Sequence, residues 1–290
     1  STGTLNAGSI LVRESDGIQT MRLGLNATSG DINVSSDYIQ NINSSLVATL
    51  ATNTISVAAD TSIASSSSCD FGGTTLTLTG PGSISNALQA NAFTHLTVDD
   101  QSTGAIQTLQ TALDVNAHLT ITDGTLDLNS LNINVAVNYS AHATDAQIDS
   151  LTGDPSITFD GSGNSTFNIG ANDANHDFEN LIIAKTGGAR VDISGSDCTI
   201  NDLITVTSGE LRILSGRNLT VSAGSTVTIP ASATLSGAGS LTAPLTIADS
   251  GNLIPGDGAL GTLSITGNVT IANGSALNQQ CDAPGTSDLI

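Results

Sequence analysis

The sequence predicts an all-β fold, a parallel β-solenoid running as a single elongated domain, and three observations predict it. One apolar skeleton is written twice. Phe93, Leu96, Val98, Ile106, Val115, Leu119, Ile121, Gly124, Leu126 and Leu128 recur in the same order, at one constant offset, as Phe178, Leu181, Ile183, Val191, Ile200, Ile204, Val206, Gly209, Leu211 and Ile213. The polar residues between them drift, as expected when the packing face of stacked units is what repeats. Composition is the second observation: 38% of the 290 residues are hydrophobic but only 2% aromatic, with no Trp. The apolar mass is Val, Ile, Leu and Ala, which suit pleated surfaces, set among the Ser, Asn, Asp and Gly of turns. The third is a series of short alternating triplets bounded by turn residues, too short to bury a face singly but able to line a shared interior when stacked coil on coil.

The elements follow in order. Residues 1–78 form an N-terminal solenoid segment, ending on the triplet Leu76-Thr77-Leu78 after a Ser- and Gly-rich stretch at 62–73. The turn TGPGSI opens a first solenoid unit, 79–159, with triplets Leu119-Thr120-Ile121 and Leu126-Asp127-Leu128. Its one segment without strand character, 141–151, is a helical turn or a loop excursion. DGSGNS opens a second unit, 160–235, the repeat of the first, with triplets at 204–206, 211–213, 219–221 and 227–229. SGAGSL opens a C-terminal unit, 236–290, with triplets at 245–247, 263–265 and 269–271. Each coil takes about 20 residues. The strand-like start at LNAGSILV and the close on SDLI leave both ends without a polar cap, so we expect them to meet either identical subunits stacked end to end or the remainder of a longer protein.

Charge excludes several functions. The formal net charge is −20, from 26 acidic and 6 basic residues, and Lys185 is the only lysine. Nucleic acid is therefore not an expected partner, because phosphate binding needs clustered Lys and Arg. No apolar run approaches the roughly 20 residues of a membrane-spanning helix. The sequence starts at Ser1 without a Met or a signal-peptide pattern, as expected of a processed or excised chain. Cys69, Cys198 and Cys281 have no metal-like spacing. The constant offset matches Cys198 to Leu113, a core position where a thiol is a small hydrophobe. Eight Asn-x-Ser/Thr sequons (Asn26, Asn33, Asn43, Asn138, Asn164, Asn218, Asn268, Asn273) permit glycosylation without arguing for it.

Residues 234–277 carry a more specific pattern: Leu235, Gly237 and Gly239, then Leu253, Pro255 and Gly256, then Gly261, Thr262, Leu263 and Ile265, then Gly267, Asn268, Gly274 and Ser275. This resembles the passenger-domain repeat of bacterial autotransporters and large surface adhesins. The resemblance implies a right-handed parallel β-helix, an extracellular or cell-surface location, and a role as stalk, adhesin or matrix component. It covers about the last sixth of the chain.

Catalytic and metal chemistry finds little to stand on. Pectin-acting β-helix enzymes need convergent carboxylates. Asp99-Asp100 is the only acidic doublet, and we read it as a solvated turn. Asp173, Asp177 and Glu179 sit with His176 in one loop and are the candidate Ca²⁺ ligands, although we read the cluster first as an acidic solvated loop. His95, His118 and His142 show no metal spacing. The expected function is thus a non-enzymatic extracellular solenoid, a shaft for adhesion, matrix or fibre without a cofactor. A polysaccharide-binding or polysaccharide-cleaving β-helix, with a glycan ligand, is the alternative.

Overall fold

A computed structural model of the chain describes residues 5–7, 10–12, 22–25, 31–40, 45–48, 54–63, 68–70, 73–86, 93–102, 104–142, 146–149, 153–170, 176–256 and 260–278. The described residues form strands and turns with no helix, and the named strands pair in parallel, so the chain is an all-β parallel β-solenoid. All ten expected triplets fall wholly or partly within strands. The stretch 141–151 is not a helical turn where it is described: Gln147–Asp149 is a strand paired with Thr125–Asp127, and Ile148 is buried there.

The chain divides into two compact units, residues 1–134 with 141–153, and residues 135–140 with 154–290. In the first, Leu5 pairs with Ile32, Ile32 with Ile55, Ile55 with Leu76, Leu76 with Leu96 and Leu96 with Leu119, so that the step along the chain differs from coil to coil. From Ile32 to Leu119 every member of this file is at most 2% exposed. A neighbouring file, Val34, Val57, Leu78, Val98 and Ile121, is equally buried. Coil length thus varies while the inward register does not, because a one-residue slip would turn each aliphatic side chain outward. A second parallel sheet in this unit joins Ile10–Val12, Tyr38–Gln40, Thr61–Ile63, Gly82–Asn86, Ile106–Leu109, Thr125–Asp127 and Gln147–Asp149.

In the second unit Ile157 pairs with Leu181 and Leu181 with Ile204, and further along Val227 pairs with Leu245 and Leu245 with Val269. Aromatic residues, scarce elsewhere, gather here. Tyr139, Phe159, Phe167 and Phe178 are each at most 2% exposed and meet edge-on or tilted, with ring centroids 5.0–5.8 Å apart. Cys198 is a thiol 1% exposed, at the core position expected from Leu113. The side chain of Cys69 and all of Cys281 lie outside the described residues.

The glycine turns of residues 234–277 close on one another. Gly237 and Gly256 exchange backbone hydrogen bonds of 3.2 and 2.7 Å across an antiparallel bridge. Leu235, Leu253 and Leu263 point into the interior beneath them.

Candidate functional site

The acidic loop does not converge as a site among the described residues. Asn201 Nδ2 donates to Asp177 Oδ1 and reaches Glu179 Oε1 at 3.4 Å, so an amide bridges these two carboxylates. Asp173 lies outside the described residues. His176 turns inward instead: it is 9% exposed and stacks on Phe178 at 5.1 Å. Its Nε2 lies 3.2 Å from the Ile169 carbonyl, which places the ring proton there and leaves Nδ1, 3.4 Å from the Tyr139 hydroxyl, to accept. Burial first, and the Cys198 thiol second, push the Tyr139 phenol well above its ordinary pKa. No group of three or more His, Cys, Asp or Glu side chains arranged to hold a metal occurs among the described residues.

Asp100 corrects the expectation of a solvated turn, whereas Asp99 is half-buried. Asp100 is 2% exposed. Its Oδ1 accepts from Ser102 N at 3.0 Å and from Ser102 Oγ at 2.5 Å, while its Oδ2 and Asp99 Oδ1 are buried without a hydrogen-bond partner. The chain turns a coil corner here, and the corner closes over the acid: Asp100 N donates to Asp123 O, and Gly124 packs against the Asp100 side chain.

The same corner one repeat later holds Lys185, also fully buried. Its Nζ donates to Ala136 O at 2.7 Å and to Asp160 O. Burial lowers its pKa, and the Asp160 carboxylate opposes that shift. The lysine thus secures the carbonyls of two other turns of its unit, as buried polar groups require.

Two outward surfaces carry polar chemistry. In the second unit Asp192, 9% exposed, accepts from Arg190 Nε at 3.0 Å and from Arg212 Nε and Nη2 at 2.8 Å each, a bidentate pair reaching across one coil. Sequence reasoning missed this cluster, although Arg-x-Asp followed by Arg one coil later is its signature. In the first unit a shallow concavity of about 650 Å³ runs along Asn6, Asn33, Ser35, Ser56, Ala58 and Thr79, with Asn33 Nδ2 donating to Asn6 Oδ1 at 2.9 Å. His95 and His118 stack outside the same sheet, centroids 5.1 Å apart, and burial first and His118 second hold the His95 imidazole below its ordinary pKa.

No family model, no curated protein and no solved structure matches the chain.

Proposed function

We propose that this chain is a non-enzymatic structural or adhesive β-solenoid of the cell exterior, a stalk, fibre or matrix subunit that stacks end to end. One observation carries the reading: the inward file of the second unit continues onto a rung where it is exposed. Leu245 and Ile247 are buried, yet their register partners Val269 and Ile271 are 41% and 48% exposed. Leu277, paired with the buried Leu253, is 44% exposed. Apolar side chains in register with a core suit a further coil laid over them, from a second copy or from the remainder of a longer chain, whose backbone groups would extend the sheet. The acidic, lysine-poor composition and the glycine pattern of 234–277 support the exterior location. Sedimentation and electron microscopy test the stacking. The chain is expected to assemble with rising concentration into rods or fibres, and Ile271→Asp to keep it monomeric at unchanged circular dichroism. A wild-type chain that stays monomeric at the highest soluble concentration overturns the stacking.

The polysaccharide reading is favoured by one feature, the concavity lined by Asn6, Asn33 and Ser56, whose amides and hydroxyls suit sugar hydroxyls. Glycan binding lost on Asn33→Ala, or oligosaccharide cleavage lost on Asp99→Ala with Asp100→Ala, would place it first.

A further inference from the structure

The second unit carries an outward file that, after Ile182, is threonine on four successive rungs. Thr205 pairs with Thr228, Thr228 with Thr246 and Thr246 with Thr270. Each stands between two aliphatic residues of the inward files, on the strand sequences Ile204-Thr205-Val206, Val227-Thr228-Ile229, Leu245-Thr246-Ile247 and Val269-Thr270-Ile271. Thr228 and Thr270 are exposed, and Thr205 and Thr246 half-buried.

The flanks are as informative as the file. Two residues before each threonine stand Leu203, Thr226, Pro244 and Asn268, and two residues after stand Thr207, Pro230, Ala248 and Ala272. None is charged, in a chain whose formal net charge is −20. Charges resume only outside the strip, at Asp202 and Asp249, both exposed. Backbone bonds hold the later rungs level: Ala248 N donates to Ile229 O and Ala272 N to Ile247 O, both at 2.9 Å, and Leu245 N to Asn268 O at 2.8 Å.

From this strip we infer an ice-binding face, its ligand being crystalline water. Parallel strands set successive threonines about 4.8 Å apart. Branching at Cβ restricts χ1, so hydroxyls and methyls repeat in one orientation without a large ordering cost on binding. The oxygen rows of hexagonal ice repeat at a similar spacing, so a row of hydroxyls can continue a lattice row while the methyls and small flanking residues fit between rows. Charged ligands and ring-stacked sugars lack their chemistry on this strip. There is no cation for phosphate or carboxylate, no carboxylate for a metal, and no aromatic ring for a sugar to stack on. An uncharged surface also spares the desolvation that a charged one would impose on contact with a neutral solid.

The test is partitioning of the purified full-length chain into a slowly growing ice hemisphere, with ice recrystallisation inhibition as a second readout. Wild type is expected to enter the ice. Thr228→Tyr, which raises a ring above the file, is expected to lower both readouts by about tenfold, and Thr246→Val, which removes only one hydroxyl, by a few-fold. Thr234→Tyr, in the file beside Glu210 and Asn252, serves as a control and is expected to match wild type. Circular dichroism and thermal melts confirm that each variant folds. Exclusion of wild type from ice, or equal partitioning of Thr228→Tyr, overturns the inference. So does retention on an insoluble polysaccharide that Thr228→Tyr abolishes while ice partitioning stays at background.

Discussion

Residues 93–128 and 178–213 share their long strands and bulges and differ in buried chemistry. Each begins with a seven-residue strand, Phe93–Asp99 or Phe178–Ala184, paired to an eleven-residue strand, Leu113–Asp123 or Cys198–Ser208. The irregularities repeat as well. Register shifts fall between Phe93 and His95 and between Val98 and Asp99 in one, and between Phe178 and Asn180 and between Ile183 and Ala184 in the other. Gly124 and Gly209 both have φ of 84°. Yet the corner beside the first glycine buries an acid, Asp100, and the corner beside the second buries a base, Lys185. The coil geometry tolerates either charge sign, although in the first repeat Asp100 Oδ2 is left buried without a partner while neighbouring carbonyls are met. In the second repeat Lys185 meets them; in the first, Gln107 Nε2 supplies the donor, to Gly80 O. A repeated fold is conserved here in its bulges and apolar files rather than in its polar contents.

The largest expected effect separates the two glycines. At φ of 84° any side chain is strained, by about 1–2 kcal/mol. A Cβ on Gly209 would also meet Lys185 Cβ at 2.6 Å and Ala189 O at 2.7 Å, whereas on Gly124 the nearest atoms, in Asp100, lie at 3.2 Å. Gly209→Ala should therefore destabilise by about 3 kcal/mol or more and Gly124→Ala by about 1–2 kcal/mol. Urea melts of both variants measure this, and equal losses would mean that the second corner relaxes as easily as the first.

The fold was legible because period-two alternation and glycine turns act locally, and the doubled skeleton showed which side chains stack. The corners were less legible. Asp99-Asp100 reads as surface because acidic doublets usually are, and only the closing of the coil over Asp100 buries it. Its repeat partner Lys185, an opposite charge in the same slot, was the available signal that the slot is not ordinary solvent. The constant offset also failed at one strand. Ile106 is 38% exposed while Val191, the residue that the offset assigns to it, is fully buried. Equivalent backbone bonds match Ala105 to Ala189 instead: Ala105 N donates to Ser102 O and Ala189 N to Thr186 O, while Thr125 N and Glu210 N donate to the two alanine carbonyls. The second corner loop is shorter by a single position, which shifts the match, and Gln107 takes the inward slot of Val191. A polar residue at that slot made the slip invisible to a reading of apolar positions. The candidate Ca²⁺ loop was legible as a cluster of types but not as geometry, since the inward turn of His176 depends on aromatic packing.

Lys185→Met sharpens the contrast between the corners. It keeps most of the side chain's length but leaves Ala136 O and Asp160 O without their ammonium donor, at about 1–3 kcal/mol, partly offset by sparing the ammonium its desolvation. Its pH signature is more specific. Burial lowers the pKa of Lys185 in the fold, so between that lowered value and the ordinary 10.5 the unfolded chain binds more protons than the folded one. Stability contributed by this group therefore rises with pH across that window and is flat below it. Melts from neutral to alkaline pH should show the rise in wild type and its loss in Lys185→Met. An unchanged slope in the variant would assign the alkaline behaviour to other groups.

The smallest effect is expected at Gln107, where gain and loss nearly cancel. Gln107→Val installs the residue that the second repeat uses at the same slot. It removes the donor to Gly80 O, but it also removes Gln107 Oε1, a buried acceptor without a partner, and fills the interior with branched apolar surface. Losing one net hydrogen bond costs about 1 kcal/mol, and sparing one unmet acceptor returns a similar amount, so the single variant should lie within about 1 kcal/mol of wild type. Combined with Asp100→Lys, it transplants the second repeat's arrangement whole. The lysine is then expected to serve the Gly80 carbonyl that Gln107 had served, and the pair should be more stable than the sum of the single changes, by about 0.5–3 kcal/mol in a double-mutant cycle. Strict additivity would mean that corner and strand are satisfied independently, and that the exchange of acid for base between the repeats is not compensated by the exchange of glutamine for valine.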